Sequence, residues 1–255
     1  MKSLFKSILN SDTVIFLRNN FGFKAKHRNI KNNYAKTISD AFCWRTDNNY
    51  KTYFRFNDIL MNFFDIENSF IVIKFYSRNA KFLKEIKIEK LANYNEIIID
   101  KDFFGGLEDY GTFYIFHHTK NLRQNSLVSN RCYVGYSVQN GLPSFMHGNT
   151  PVKFKKIDNE HSTEMYIVKS SIFCKNKYKI QKNFDGIEYT ELFFSNPMSK
   201  KLKLNIFNKS YILLSGESKL IKFKDINQIS FVSNCMFLRP AIFSYNNNCI
   251  DVHHS

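Results

Sequence analysis

The sequence predicts a mainly β protein made of antiparallel sandwich or barrel-like modules, with short helical segments on the N-terminal side. Hydrophobic residues make up 44% of the 255 residues and include 27 Phe and 14 Tyr, and aromatic residues suit pleated, half-buried surfaces. Short apolar runs are separated by tight turns, and some alternate with charged residues at the period of two that is typical of strands. Similar runs follow one another in both halves of the chain.

The first 35 residues are predicted to form an irregular, partly helical lead-in. Residues 2–10 carry four apolar side chains at helical spacing: Leu4, Phe5, Ile8 and Leu9. Residues 19–33 are polar and basic without a sustained period, which is typical of a loop. A second short helix is expected at residues 58–64, DILMNFF.

The first β module is predicted to span residues 36–150. The clearest strand signal lies in FLKEIKIEKL, where Ile86 and Ile88 alternate with charged residues, so that one face of the sheet meets water. Turn residues separate this run from its neighbours. Strands are expected at residues 70–76, 82–91, 96–100 and 111–118.

The second β module is predicted to span residues 151–255, with strands at residues 201–207, 211–214, 220–226 and 229–232. Residues 131–149 and 239–255 both run from Arg through a strand, a Tyr, an Asn-containing turn and a second strand to a His. We interpret this match as a tandem duplication. The alternative is that two unrelated β domains rich in Lys and Asn resemble each other.

The formal charge is +15, from 37 Lys and Arg against 22 Asp and Glu. Such a balance favours an anionic partner: nucleic acid, an anionic membrane surface or an acidic glycan. The lysines are scattered along the chain, so general enrichment in Lys and Asn with solvated faces is the competing interpretation. Basic and aromatic residues alternate in residues 53–56, 152–156 and 220–226, as they do on surfaces that bind single strands or acidic sugars.

The five cysteines are widely spaced and form no C-x-x-C pair, so neither a disulfide framework nor a zinc ribbon is indicated. The N-terminal apolar patches are too broken for a signal peptide. No apolar run reaches the roughly 18 residues of a membrane-spanning helix. We therefore expect a cytoplasmic protein without a membrane span.

No catalytic or cofactor motif is present. G-x-S-x-G, a P-loop and a dinucleotide fingerprint are all absent from the sequence. In a regular strand, neighbouring side chains point to opposite faces. The two histidines of His117–His118, like those of His253–His254, therefore cannot converge on one metal ion. We expect no cofactor and no bound transition metal.

The candidate ligand-binding residues are Arg131, His147, Arg239 and His253, which occupy matching positions in the two presumed repeats. Arginine binds carboxylate or phosphate with two parallel hydrogen bonds. We therefore predict a non-catalytic binding or accessory protein that holds an anionic small molecule or an acidic saccharide. The alternatives are an enzyme that acts on sugars with a His as general acid or base, and a less favoured nucleic-acid binder. Assembly into a homo-oligomer stays open.

Overall fold

The fold is described from a computed structural model, and it is mainly β, as predicted. The twenty strands within the described part of the chain form five four-stranded sheets. The described residues are 5, 8, 9, 11–21, 35–122, 126–129, 132–139, 141–148, 151–158, 161–170, 175–180, 186–224, 228–246 and 249–254.

Two short helices precede or interrupt the first strands. Helix α1 spans Asp12–Asn20, and Ser11 caps it by accepting a hydrogen bond from Val14 N at 3.4 Å. Phe5, Ile8 and Leu9 are helical as well, in line with the predicted helical spacing. Helix α2 spans Ile59–Phe64, which confirms the helix predicted at residues 58–64.

Sheets II and III belong to the first half of the chain. Sheet II has the order β2-β7-β4-β5, with bounds Phe42–Arg45, Tyr110–His118, Phe70–Ser77 and Phe82–Ile88. Sheet III has the order β10-β9-β3-β6, with bounds Ser144–His147, Cys132–Val138, Tyr50–Phe56 and Asn95–Ile99. All pairs in both sheets are antiparallel.

Sheets IV and V belong to the second half. Sheet IV has the order β13-β18-β15-β16, with bounds Asn176–Lys179, Ser230–Ser233, Leu202–Ile206 and Lys209–Leu213. Sheet V has the order β20-β19-β14-β17, with bounds Cys249–His254, Ala241–Asn246, Tyr189–Ser195 and Ser218–Lys224. These pairs are antiparallel too.

The four sheets pair their strands in matching order. Strands β2 to β7 correspond one by one to β13 to β18, and β9 and β10 correspond to β19 and β20. With this correspondence, the strand order of sheet II is the same as that of sheet IV, and the strand order of sheet III is the same as that of sheet V. The first eight of these strands will be called the first block, and the other eight the second block.

Sheet I joins strands from both sides of residue 150. Its order is β12-β11-β1-β8, with bounds His161–Tyr166, Pro151–Asp158, Lys36–Asp40 and Leu127–Ser129. Only the β1 and β8 pair is parallel among its described strands. The predicted module boundary at residue 150 thus falls at the edge of β11, inside a hydrogen-bonded sheet, because β11 pairs with β1 of the first half. The division into two modules stays a prediction.

Two hydrophobic cores share sheet V as a common layer. One face of sheet V, with Phe193 and Phe243, packs with sheets II and III. The other face, with Leu192, Phe194 and Ile242, packs with sheet IV. A strand that is buried on both faces loses its polar alternation. The sheets therefore do not form a clear tandem pair of separate sandwiches.

A buried arginine fastens the first block to sheet V. Arg45 at the end of β2 is fully buried, and it donates to Asp47 at 3.0 and 2.7 Å and to Glu191 of β14 at 2.7 Å. Tyr245 also donates to Glu191, at 2.6 Å. A buried charge is tolerated only when it is paired and hydrogen-bonded in this way.

Candidate functional site

No described strand covers the outward face of sheet IV. Along β15, Leu202, Leu204 and Ile206 are buried in the second core, whereas Lys203 is exposed. This alternation follows from the period of two in a strand, since successive side chains point to opposite faces. Sheet IV therefore presents a polar, basic face to solvent.

A groove of about 980 Å³ runs along this face. Its lining combines lysines with hydroxyl and amide side chains, and it includes no Asp, Glu or His among the described residues: Ser170, Lys175, Ser199, Lys200, Lys201, Lys203, Asn205, Ser210, Tyr211, Ile212, Leu214, Ser215, Val232, Ser233 and Asn234. The lysine stems and the aliphatic side chains supply an apolar floor beneath the ammonium groups.

Two asparagines hold the lysine-bearing loop in place. The side-chain amide of the fully buried Asn196 donates to Lys200 O at 2.8 Å, and its carbonyl accepts from Met198 N at 3.0 Å. Asn234 donates to Lys201 O at 3.0 Å and accepts from Lys203 N at 2.8 Å. The backbone of the loop is thereby fixed before a ligand arrives, which lowers the entropic cost of binding.

The lysines of the groove keep their charged ends in solvent. Lys175, Lys200, Lys201 and Lys203 are exposed, and none of them forms a salt bridge with a described residue. Their ammonium groups act together on one face with a low-dielectric floor, where like charges raise the local potential. An anion is the ligand that such a face attracts.

The predicted set of Arg131, His147, Arg239 and His253 is only partly brought together. Arg131 lies outside the described residues. Strand β10 packs beside β20, and the Nδ1 of His147 lies 3.4 Å from the Nε2 of His254. Arg239 donates to the Nδ1 of His254 at 2.7 Å. His147 and Arg239 thus meet through His254.

His253 points away from this cluster, because neighbouring residues of β20 face opposite sides of the sheet. Its Nδ1 lies 3.2 Å from the carboxylate of Asp251, which is on the same face. The match between residues 131–149 and 239–255 predicted His253, whereas His254, one position later, contacts Arg239. Only the register of β20 distinguishes the two.

Asp40 adds a carboxyl group that no sequence pattern indicated. Burial raises the pKa of the Asp40 carboxyl to about 7, and the Arg239 guanidinium acts in the opposite direction. Gly148 comes directly after β10 and lies close to Asp40, so a Cβ at this position would collide with the Asp40 carboxylate. This small, paired cluster fastens β10, β20 and the end of β1 to one another and offers less free charge than the groove.

A buried Ser, His and Asp lie together in the first block, but not as a catalytic triad. The Nε2 of His117 lies 3.0 Å from Ser69 Oγ and 3.3 Å from Asp58 Oδ1. A triad needs the two partners on opposite ring nitrogens, and the Nδ1 of His117 has no partner among the described residues. Asp58 also caps α2 by accepting from Met61 N at 3.0 Å. The cluster links the start of α2 to β7.

The described residues contain no group of three or more His, Cys, Asp or Glu side chains arranged to hold a metal ion. In the same part of the chain, no helix is long and apolar enough to cross a membrane.

No family model matches the chain, and no curated protein matches it. Among solved structures, it is similar to an anti-sigma factor domain-containing protein, with a TM-score of 0.22 and 6% identity over 86% of this chain and 79% of that one. A second likeness is to the M60 catalytic domain with two CBM51 domains from Clostridium perfringens ZmpB, with a TM-score of 0.21 and 7% identity over 86% of this chain and 33% of that one. The chain thus spans about a third of the second structure. Agreement at this level carries no argument about this chain.

Proposed function

We propose that this protein is a non-catalytic binding protein that holds an anionic ligand, of the acidic saccharide class, in the groove on the outward face of sheet IV. One observation carries the proposal: four lysines line one groove, and no carboxylate lies among its described lining residues. Lysines spread over a merely solvated surface are normally interspersed with acidic side chains.

The remaining lining residues favour a saccharide. Serine hydroxyls and asparagine amides both donate and accept hydrogen bonds, as sugar hydroxyls require. The volume of about 980 Å³ lies at the upper end of the range of roughly 300 to 1,000 Å³ for ligand sites. A short oligosaccharide with carboxylate or sulfate groups matches both the size and the chemistry.

A single strand of nucleic acid is the less favoured ligand. Sequence-independent binding of single strands depends on several aromatic rings on which successive bases stack. Tyr211 is the one aromatic residue among the described residues that line the groove, and the Nζ of Lys219 lies 5.4 Å from its ring centroid. The groove offers charge without a stacking platform.

An enzyme acting on sugars is also less favoured. General acid and base catalysis needs a titratable group within hydrogen-bond reach of the reacting atoms. The described lining of the groove includes no carboxyl, imidazole or thiol group.

We further propose that the first and second blocks arose by duplication, with the predicted modules 36–150 and 151–255 as their approximate extents. The matching strand order of sheets II and IV and of sheets III and V supports this. Alignment of the two blocks in sequences of relatives would test it, and alignment no better than between shuffled blocks would contradict it.

Calorimetric titration at two salt concentrations tests the proposed ligand class. The probes are a uronic acid oligosaccharide, a neutral oligosaccharide of the same length and a single-stranded oligonucleotide of the same charge. We expect the acidic saccharide to bind most tightly and to weaken as salt increases, because salt screens exposed charges. Equal binding of the neutral sugar, or tighter binding of the oligonucleotide, would contradict the proposal.

A further inference from the structure

A second cavity, of about 350 Å³, lies where sheet V meets the first block. Asn48, Tyr50 and Gln139 line it from the first block, and Glu191 and Lys222 from the second. None of its lining residues belongs to the groove on sheet IV. Ligand sites often lie between structural units, where side chains from both sides converge.

This cavity, called the interface cavity below, is lined by the carboxylate of Glu191, and one of the two carboxylate oxygens has no partner among the described residues. The Oε2 of Glu191 accepts from Arg45 at 2.7 Å and from Tyr245 at 2.6 Å. The Oε1 has no hydrogen bond to any described residue, and Glu191 lines the cavity. The pairing with Arg45 holds the carboxylate in place, so the second oxygen is a fixed acceptor for hydroxyl groups.

The rim is held in an uncommon backbone conformation. Asn48 and Gln139 have φ of 50° and 48°, in the left-handed region that non-glycine residues seldom adopt. Gln139 N donates to Asn49 O at 3.4 Å, which ties the two rim segments together. Such conformations cluster at binding sites, where the surrounding structure holds them. Here they place two side-chain amides, each both a donor and an acceptor, at the mouth.

A third wall is aromatic and cationic. Tyr189 and Tyr245 stack with centroids 4.1 Å apart, and the Nζ of Lys222 lies 3.4 Å from the centroid of the Tyr189 ring. Lys222 and Glu191 face each other across the β14 and β17 pair. One cation and one anion among the described lining residues leave this part of the lining without net charge, in contrast to the groove on sheet IV.

We propose that the interface cavity binds one uncharged monosaccharide unit. A fixed carboxylate oxygen, two amides, an ammonium group and tyrosine rings supply both the acceptors and the donors that ring hydroxyls need. A lining without net charge favours an uncharged ligand, because a charged one would lose its hydration without a net opposite charge to compensate. This site goes beyond the proposed function, and either site can exist without the other.

Cys249 provides a direct probe, since this exposed thiol lines the cavity. Its alkylation rate is measured by mass spectrometry of the peptide that contains it, with and without each member of a panel of neutral hexoses and N-acetylhexosamines at millimolar concentration. At least one sugar should slow alkylation severalfold, whereas an acidic oligosaccharide should not. No protection by any neutral sugar, or protection by the acidic one alone, would overturn the proposal.

Two variants test whether the sugar binds in the interface cavity. Glu191→Gln and Lys222→Met should each weaken protection by about tenfold, as expected for loss of a charged hydrogen bond. Lys222→Met touches no buried ion pair, so it stays informative if Glu191→Gln fails to fold. Lys224→Met is the control, because Lys224 is exposed on the same strand and does not line the cavity. Equal effects of Lys222→Met and Lys224→Met would also overturn the proposal.

Discussion

Sheets II and IV have the same strand order, but their outward faces differ in what covers them. Sheet I lies over sheet II, where Lys74 and Lys153 both bind Glu164, at 2.6 and 3.0 Å. The Nζ of Lys153 also lies 4.6 Å from the centroid of the Tyr114 ring. No described strand lies over sheet IV, and the lysines of its groove have no carboxylate partner among the described residues.

The difference shows how one arrangement of strands supports two uses of lysine. Beneath a covering sheet, an ammonium group gains from a counter-charge, as Lys74 and Lys153 do from Glu164, because an unpaired buried charge is costly. On the uncovered sheet, water solvates the ammonium groups, and their charge stays available to a ligand. Lysines enclosed between sheets I and II should therefore matter for stability, and lysines of sheet IV for binding.

The largest expected effect is on the covered face. Glu164→Gln should lower the free energy of unfolding by about 3 kcal/mol, because it leaves the buried Lys153 without a carboxylate partner and Lys74 with Glu85 alone, at 3.6 Å. Burial alone would raise the pKa of Glu164, but the hydrogen bonds from Lys74 and Lys153 hold it below its usual range. Urea denaturation at neutral pH measures the change.

The matched control is Glu89→Gln, which removes a carboxylate from the exposed pair with Lys87. Exposed pairs contribute at most about 1 kcal/mol. If both variants lose the same stability, the covering sheet does not make the difference that we infer.

Acid should weaken sheet II before sheet IV. Burial lowers the pKa of His118 on β7 to about 3, from its usual 6.5. The folded pKa lies below the unfolded one, so the unfolded chain takes up the proton first, and stability falls as the pH drops below 6.5. His118→Phe keeps an aromatic ring beside Phe70. At pH 5, His118 should lower the free energy of unfolding of the unmodified protein by about 2 kcal/mol, and the variant should not show this decrease.

Hydrogen exchange at pH 5 and pH 7 follows this loss by strand. Protection of β7 should fall in acid in the unmodified protein and stay higher in His118→Phe, while β18 should change little. Loss of protection in β18 ahead of β7 would contradict the account.

A smaller effect is expected at the loop that carries the groove lysines. Asn196→Ala removes the bonds to Lys200 O and Met198 N and should cost about 1 to 2 kcal/mol, because buried backbone groups lose their partners. Binding of the acidic oligosaccharide should weaken as well, since the loop is no longer fixed. Thermal unfolding and titration calorimetry measure the two effects. Unchanged binding would show that the loop need not be held.

The smallest stability effect should come from the groove lysines themselves. Changing Lys200, Lys201 and Lys203 together to Met should alter the free energy of unfolding by less than about 0.5 kcal/mol, because exposed unpaired charges add little to folding. Urea denaturation checks this against Glu164→Gln. A loss as large as in Glu164→Gln would mean that these lysines are structural.

Strands that form a continuous apolar run or alternate with charged residues were predictable from the sequence, whereas short strands with mixed polar residues were not. Strand β5 at Phe82–Ile88 has one wet face, and β4 and β7 at Phe70–Ser77 and Tyr110–His118 are apolar runs bounded by turns; all three lie close to the predicted runs. Strands β2 and β14 gave no period of two, because core residues or paired polar groups lie on both of their faces. Apolar alternation marks a strand only where one face meets water.

The groove was beyond sequence reasoning for a different reason. Lys175 and Lys203 are far apart in the chain, and they line one groove because β13 and β15 both pair with β18. The general prediction of a basic β surface for an anion needed only charge and composition. Its location needed the strand order, just as the choice of His254 over His253 needed the register of β20.

The most direct test of the central claim compares two charge-matched variants in their binding of the uronic acid oligosaccharide. One changes Lys200, Lys201 and Lys203 to Met, and the other changes the exposed first-block residues Lys81, Lys90 and Lys101, which do not line the groove. Calorimetry should show at least about tenfold weaker binding for the groove variant, from the loss of several contacts to charged groups, and little change for the other. Equal losses in the two variants would instead indicate diffuse binding by net charge, and no loss in either would place the ligand elsewhere.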